Sequence, residues 1–456
     1  MGSLEPQTEQ EIESFVLDWL ADAKVPGASV AIVEDDELVY TSGFGSRELE
    51  TNAPATPQTL YGVASCTKSF AGLSLLMLEE RGDLSIDDPV TDHLDDVTIE
   101  GPEGPLTLHD LLTHSSGLPS LAVSTVLLYR LTGVEEYGIP LGDREDFHRL
   151  LNRAEDEIAG PPGERFMYCN AGYNLLGEVV EAVSGTPFDE FVTSEILRPL
   201  GMERSTFDPD AFEADDDAFT PHALLDGDAQ ATPFPHRPVS YPAGGLIASV
   251  EELTQYLRLQ MNGGSVDGVE LISEDALARA HNGFQPRDDG EYGYGWGRKE
   301  LYGTTVISHG GSLGVSSSYL GFTEDGSYGI AIGANTTPNP TPPTVGEGIL
   351  AILLGEDPTE ETPYFARKSR FDELTGEYES YRGIMTARVE EHAGVLQLTM
   401  EGALGESSLV LLPTDPESPG YEFEAPTATG VRKAVDFEVD GDDVDLFYDR
   451  WRLHRT

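Results

Sequence analysis

Ile12, Phe15, Val16 and Trp19 recur at three- and four-residue spacing, which predicts an amphipathic helix over residues 7 to 22. Lys24-Val25-Pro26-Gly27 ends it. Two apolar runs, Ala28 to Val33 and Leu38 to Gly43, then read as strands around Glu34-Asp35-Asp36. A longer apolar stretch through Leu73, Leu75, Leu76 and Leu78 to Arg81 predicts a helix opened by Ser65. Further helices are expected around Ala122 to Leu131, Arg144 to Asp156, from Ala171 through Val183, and from Val250 to Met261. Tyr292 to Trp296, Thr304 to Ser308, Ser316 to Phe322 and Tyr328 to Gly333 read as strands. The last three join the N-terminal pair in one antiparallel sheet, with a helix from Val345 to Leu354 able to pack on it. From Phe371 the pattern is purely β: Val435, Phe437 and Val439 alternate before Asp440-Gly441, and Val444, Leu446 and Tyr448 after it. That tail predicts a small closed antiparallel barrel or sandwich.

Composition narrows the setting. Among 456 residues, 27 basic against 82 acidic side chains give a net charge of −55, which argues against nucleic acid or an anionic membrane surface as a partner. Acidic residues spread along the whole chain point to a halophilic protein, whose self-repulsion is screened by salt. Met1 to Gln10 lacks the basic and apolar regions of a secretory signal, and no run reaches the apolar length of a membrane span, so the expectation is a cytoplasmic protein. No Cys/His cluster has metal-ligand spacing, and neither metal nor cofactor is expected. Cys66 and Cys169 read as small buried residues rather than as a redox pair.

The candidate chemistry lies in three places. Ser65-Cys66-Thr67-Lys68 sets a hydroxyl and an amine three residues apart on one helix face, where the amine can accept the hydroxyl proton if burial keeps it partly neutral. Tyr168-Cys169-Asn170 supplies a phenol and an amide. His309-Gly310-Gly311-Ser312, at the end of a β-run, supplies an imidazole and, at Gly311 and Ser312, a backbone open enough for a substrate to lie against. In that order the motifs resemble the serine β-lactamase and penicillin-binding-protein superfamily, signature S-x-x-K, S-D-N, K-T-G. The variants Y-x-N and H-G-G look most like its class C β-lactamase-related branch, with D-aminopeptidase, archaeal serine peptidase and esterase relatives. Leu106 to Pro119, with His109 and His114 in architectural roles, and Pro199-Leu200-Gly201-Met202 also resemble the family.

The resemblance implies an α+β fold over residues 1–355: a five-stranded antiparallel sheet flanked by helices, with an all-helical subdomain at about 85–240. A linker at 356–370 and a lipocalin-like barrel at 371–456 would follow. It also implies that Ser65 is the nucleophile and that Lys68 and Tyr168 share proton transfer, either one as base, with the lysine lowering the phenol pKa. Asn170 would hold the substrate amide and Lys68, and the N–H groups of Ser65 and Ser312 would receive the oxyanion. His309 departs from the lysine common in β-lactamases; protonated near pH 6.5, it would supply charge only conditionally. The expected substrate is accordingly a peptide or amide, cleaved in aminopeptidase- or carboxypeptidase-like fashion. A carboxylesterase or weak β-lactamase on the same site, or a binding protein retaining the fold, are the alternatives, and the oligomeric state is open. Gly310-Gly311-Ser312-Leu313-Gly314 also fits the G-x-S-x-G elbow, but that elbow needs a helix where Val315 to Phe322 reads as strand.

Overall fold

The computed structural model describes residues 2–456 except 103, 121, 133–138, 140, 226–227, 403–404 and 416–419. It divides into two compact units, Met1–Leu350 and Ala351–Thr456. In the first, helix α1 (Pro6–Asp22) leads into strands β1 (Gly27–Glu34), β2 (Glu37–Glu48) and β3 (Ala53–Pro54). Helices α2 (Thr67–Arg81), α3 (Asn170–Ser184) and α4 (Val250–Met261) precede β4 (Gln285–Arg287), β5 (Gly290–Tyr292) and β6 (Gly297–Leu301). Strands β7 (Thr304–Ser312), β8 (Ser317–Thr323) and β9 (Tyr328–Ala334) and helix α5 (Pro342–Leu353) follow. Among the described residues the sheet runs β4-β5-β6-β7-β8-β9-β1-β2-β3. The five strands expected from the sequence form its consecutive centre, β7 to β2, and four short strands extend them to nine.

One expected strand is replaced by a turn. Between β5 and β6, Gly293 N–H donates to Trp296 O at 2.7 Å and Gly295 takes a φ of 83°, so Tyr292 to Trp296 reverses the chain. The alternating aromatic residues that looked like a strand instead bury Tyr294 and Trp296 with the helices. The mostly helical subdomain at about 85–240 also contains a hairpin, His222–Leu225 paired with Asp228–Ala231.

Helix α2 is buried on every side from Thr67 to Leu78, as a helix without a polar face requires. It packs on α3 across one core with Phe70, Leu73, Leu76, Tyr173 and Leu176, while α4 lies against β9 and β1. Gly72 allows α2 to approach the turn, because a Cβ there would stand 2.5 Å from Tyr294 O. Among the described residues no helix is long and apolar enough to cross a membrane.

In the second unit eight strands, from Gly376–Ser380 to Trp451–Arg455, close into a barrel. Alternate residues such as Val389, Leu396, Leu398, Phe423, Val435 and Leu446 fill its interior. The stretch expected as a linker is helical instead, Pro358–Glu361 and Pro363–Leu374. The β pattern expected from Phe371 begins only after this helix: Phe371 and Leu374 are helical and pack into the barrel core, and the first strand starts at Gly376.

Helix propensity alone predicts that Gly72→Ala stabilises the protein by about 1 kcal/mol. The contact with Tyr294 O reverses the sign, and a loss of about 1–3 kcal/mol in urea unfolding is expected. A stabilised variant would mean that α2 does not need this close approach.

Candidate active site

Ser65 sits in a 3-10 turn, Ala64–Cys66, that runs directly into α2. Ala64, just before it, holds a left-handed φ of 49°, a conformation that survives only where its surroundings fix it. They do so from three sides. Val63 N–H donates to Leu246 O at 2.9 Å, Ser318 Oγ to Val63 O at 2.6 Å, and Thr67 Oγ1 to Ala64 O at 2.6 Å. Strand β7 closes against this turn at Gly311, where a Cβ would fall 2.3 Å from Val63 O. Cys66 Sγ bonds His309 O at 3.1 Å from beneath, and burial raises its thiol to about 12, so it is an inert packing residue like the buried, unpaired Cys169.

Lys68 is fully buried, with Nζ 3.1 Å from Ser65 Oγ and 2.7 Å from Ala243 O. The second contact depends on Gly177 in α3, where a Cβ would stand 2.0 Å from Pro242 Cγ. Both partners are neutral. Desolvation without a compensating carboxylate lowers the ammonium to a pKa of about 7.

Tyr168 lies with its ring centroid 4.8 Å from Lys68 Nζ and is 40% exposed. Its hydroxyl bonds Ser65, yet desolvation holds the phenol above its ordinary pKa. The lowering expected from Lys68 is not found: desolvation dominates, and the hydrogen bond to Ser65 and the charge of Arg287 offset it only in part. His114 fixes this tyrosine from both sides. His114 O accepts Met167 N–H at 2.7 Å, Nδ1 accepts Cys169 N–H at 3.0 Å, and the imidazole lies 4.2 Å, centroid to centroid, from the Tyr168 ring. His109, in contrast, bonds Tyr294 Oη at 2.9 Å.

His309 does not carry the charge expected of it. Nδ1 donates to Gly310 O at 2.6 Å, which leaves Nε2 as the acceptor for Tyr292 Oη at 2.9 Å. Desolvation, with Lys68 nearby, depresses its pKa to about 3. It is a neutral imidazole at ordinary pH, so the expected titration near 6.5 is corrected.

Asn170 opens α3 and lines the cleft with Ser65 and Ser312, without an acidic side chain among the described lining residues. Its Oδ1 is buried and unpartnered, so the expected bond to Lys68 is absent; the amine uses Ala243 O instead. Ser312 is exposed, its Oγ 3.0 Å from Thr337 Oγ1. Leu313 N–H donates to Ser316 O, so the ladder's alternation turns Ser312 N–H toward the opposite edge. There β6 pairs only as far as Ser308. A strand, β8, follows Ser312 rather than a helix, which rules out a nucleophile elbow. Sequence reasoning missed Ala243, Tyr292 and the hold of His114 on Tyr168: a backbone carbonyl leaves no sequence mark, and the other two depend on tertiary packing.

Residues 12–353 match the family model described as Beta-lactamase, and residues 358–454 match the Pab87 octamerisation domain. Protein flp of Staphylococcus aureus strain MW2 is 27% identical over 334 residues, 72% of this chain and 63% of that protein. The chain thus spans under two thirds of the length of that relative. A putative D-alanyl-D-alanine carboxypeptidase of Escherichia coli O157:H7 is 27% identical over 323 residues, 61% of this chain and 70% of the relative. Among solved structures, the octameric penicillin-binding protein homologue from Pyrococcus abyssi superposes with a TM-score of 0.89 at 32% identity, covering 98% of this chain and 99% of that one.

His309 titrates at about 3 in the folded state, below the ordinary 6.5, so the unfolded chain binds the proton first. Its stabilising contribution is therefore complete above pH 6.5 and is lost as pH falls toward 3. In urea unfolding over that window, His309→Gln should lose less stability than the unsubstituted protein, by on the order of a few kcal/mol. Parallel curves would place the imidazole in contact with water.

Proposed function

The chain belongs to the Beta-lactamase family, a fold family of serine hydrolases, and from that premise we propose that it cleaves amide bonds in peptides or small amides through an acyl-enzyme on Ser65. The observation that carries this reading is Lys68, buried beside Ser65 Oγ with no carboxylate partner and a pKa of about 7. At neutral pH a large fraction of the amine is free to take the serine proton as Oγ attacks the carbonyl carbon. The N–H groups of Ser65 and Ser312 receive the oxyanion, helped by the N-terminal end of α2.

Collapse of the tetrahedral intermediate must protonate the leaving nitrogen. Tyr168 remains a neutral phenol and donates that proton, recovering one from the Lys68 ammonium. Water then releases the acyl group by the reverse relay. A neutral His309 places no fixed cation on β7, which favours peptides and amides without a carboxylate next to the scissile bond over substrates that carry one there. The printed name of the Escherichia coli relative, a putative D-alanyl-D-alanine carboxypeptidase, points to the same bond type.

Ser65→Ala should abolish turnover of aminoacyl nitroanilides, nitrophenyl esters and a chromogenic cephalosporin alike, and fluorophosphonate labelling should vanish with it. In the unsubstituted protein kcat/KM should rise with pH through about 7, as Lys68 loses its proton. The limb should persist in His309→Gln, and Lys68→Arg should be inactive because guanidinium cannot act as the base. Retained activity in Ser65→Ala would remove the acyl-enzyme reading. A limb that disappears with His309 would return the titration to the imidazole.

The second matched model and the octameric neighbour support a further part of the proposal, assembly of this chain into an octamer through its barrel unit. The charge of −55 must be screened for folding and for assembly. Melting temperature and mass by light scattering should both rise with KCl into the molar range, the mass reaching eight chains. A salt-independent monomer would contradict both the halophilic reading and the octamer.

A further inference from the structure

Arg237 is the one permanently charged side chain among the described residues that line the Ser65 cleft. It is exposed, and its guanidinium has no ion pair or hydrogen bond among the described residues, in a chain where 82 acidic side chains outnumber 27 basic ones. The segment that carries it is fixed. Phe234 packs against Phe212 and Phe219 with ring centroids 5.2 and 5.8 Å apart, and Arg237 O accepts both the N–H and the hydroxyl of Ser240 at 3.0 Å. Pro238 confines the Arg237 backbone to the extended conformation it holds, with φ −150° and ψ 130°. A ligand therefore has only the arginine side chain left to order.

The surrounding charges leave this cation unopposed. His236 beside it has Nδ1 2.9 Å from Tyr241 Oη and a pKa depressed by burial to about 4, so it is neutral. Asp208 is the acid whose charge reaches His236 and Tyr241, but its carboxylate accepts Asp210 N–H at 2.9 Å, capping the helix Pro209–Glu213, and does not pair with Arg237. Leu127 and Leu131, one turn apart on the helix Leu127–Thr132, give the same cleft an apolar wall. Which half of a substrate enters follows from the relay: Tyr168 serves the leaving nitrogen and does not line this cleft, so the cleft receives the acyl portion. Building on the amide-hydrolase reading, we propose that Arg237 binds a carboxylate on the acyl portion of the substrate, at the end of a short apolar spacer lying along Leu127 and Leu131. A guanidinium meets a carboxylate with two parallel N–H bonds. The preferred substrates are then amides whose acyl portion carries an acid remote from the scissile bond, not one next to it, where neutral His309 offers no charge.

The test compares N-succinylalanine p-nitroanilide with its succinamoyl analogue, in which the terminal carboxylate is replaced by a neutral amide of nearly the same shape. Molar KCl screens the field of the −55 chain beyond about 3 Å, so only a direct contact can favour the anion there. Under those conditions the unsubstituted protein should prefer the succinyl compound about fivefold or more in kcat/KM. Arg237→Gln should abolish the preference, and Arg237→Lys, a point charge without the planar fork, should keep part of it. Damage to the fold would lower both substrates together and leave their ratio standing. No preference in the unsubstituted protein, or the same preference in Arg237→Gln, overturns the proposal. If the unsubstituted protein hydrolyses neither anilide, the hydrolase reading fails separately. Saturation-transfer NMR of the two compounds on the unsubstituted protein and Arg237→Gln then decides the subsite: selective binding of the succinyl compound, lost in the variant, supports it, and equal binding overturns it.

Discussion

Burying the ammonium of Lys68 without an opposing carboxylate is the constraint around which the site is built. Desolvation of a charge is among the largest penalties a protein interior imposes, and here, among the described residues, it is met by a hydroxyl, a backbone carbonyl and the faces of Tyr168 and Tyr173, all of them neutral. A nearby acid would make the amine a stable cation and remove its basicity. The glycines at 72, 177 and 311 each let a backbone or ring approach that a side chain would block. Together they enclose Lys68 in neutral groups rather than charged ones, in a chain whose surface is otherwise dominated by carboxylates.

The same dry environment sets the neighbouring groups. The phenol of Tyr168 is raised and the imidazole of His309 is depressed, so both remain neutral and Lys68 alone titrates near neutrality among the residues of the three motifs. The hydrogen bonds then acquire fixed directions. Because Gly310 O can only accept, His309 Nδ1 must donate, Nε2 must accept, and Tyr292 must give its proton to it. His114 obeys the same rule through Cys169 N–H.

Much of this was legible in the sequence because it is local or periodic. The five central strands, the buried helix behind Ser65 and the meeting of Ser65, Lys68, Tyr168, Asn170 and Ser312 follow from alternation, helical spacing and motif resemblance. What escaped depends on contacts between distant segments. The aromatic run from Tyr292 to Trp296 has strand chemistry, but Gly293 and Gly295 turn it against α2, where a Cβ on Gly295 would stand 2.6 Å from Lys68 O. The protonation of His309 depends on burial by Tyr292 and Tyr168, residues over a hundred positions apart. Phe371 and Leu374 fall where the β pattern is expected to start, yet they close the helix Pro363–Leu374, because the core that receives them is assembled from eight later strands.

Closure of the C-terminal barrel limits how anything can bind to it. An open sheet offers a partner a row of unpaired backbone groups, and strand addition at such an edge is largely indifferent to side-chain identity. This barrel has spent those groups on itself. Contact must therefore be made through side chains, and large apolar ones stand out at Tyr381 and Ile384, 71% and 80% exposed between the first two strands. Recognition written in side chains rather than backbone can be gained or lost by single substitutions, so close relatives sharing this barrel are free to differ in what they associate with while keeping the same fold.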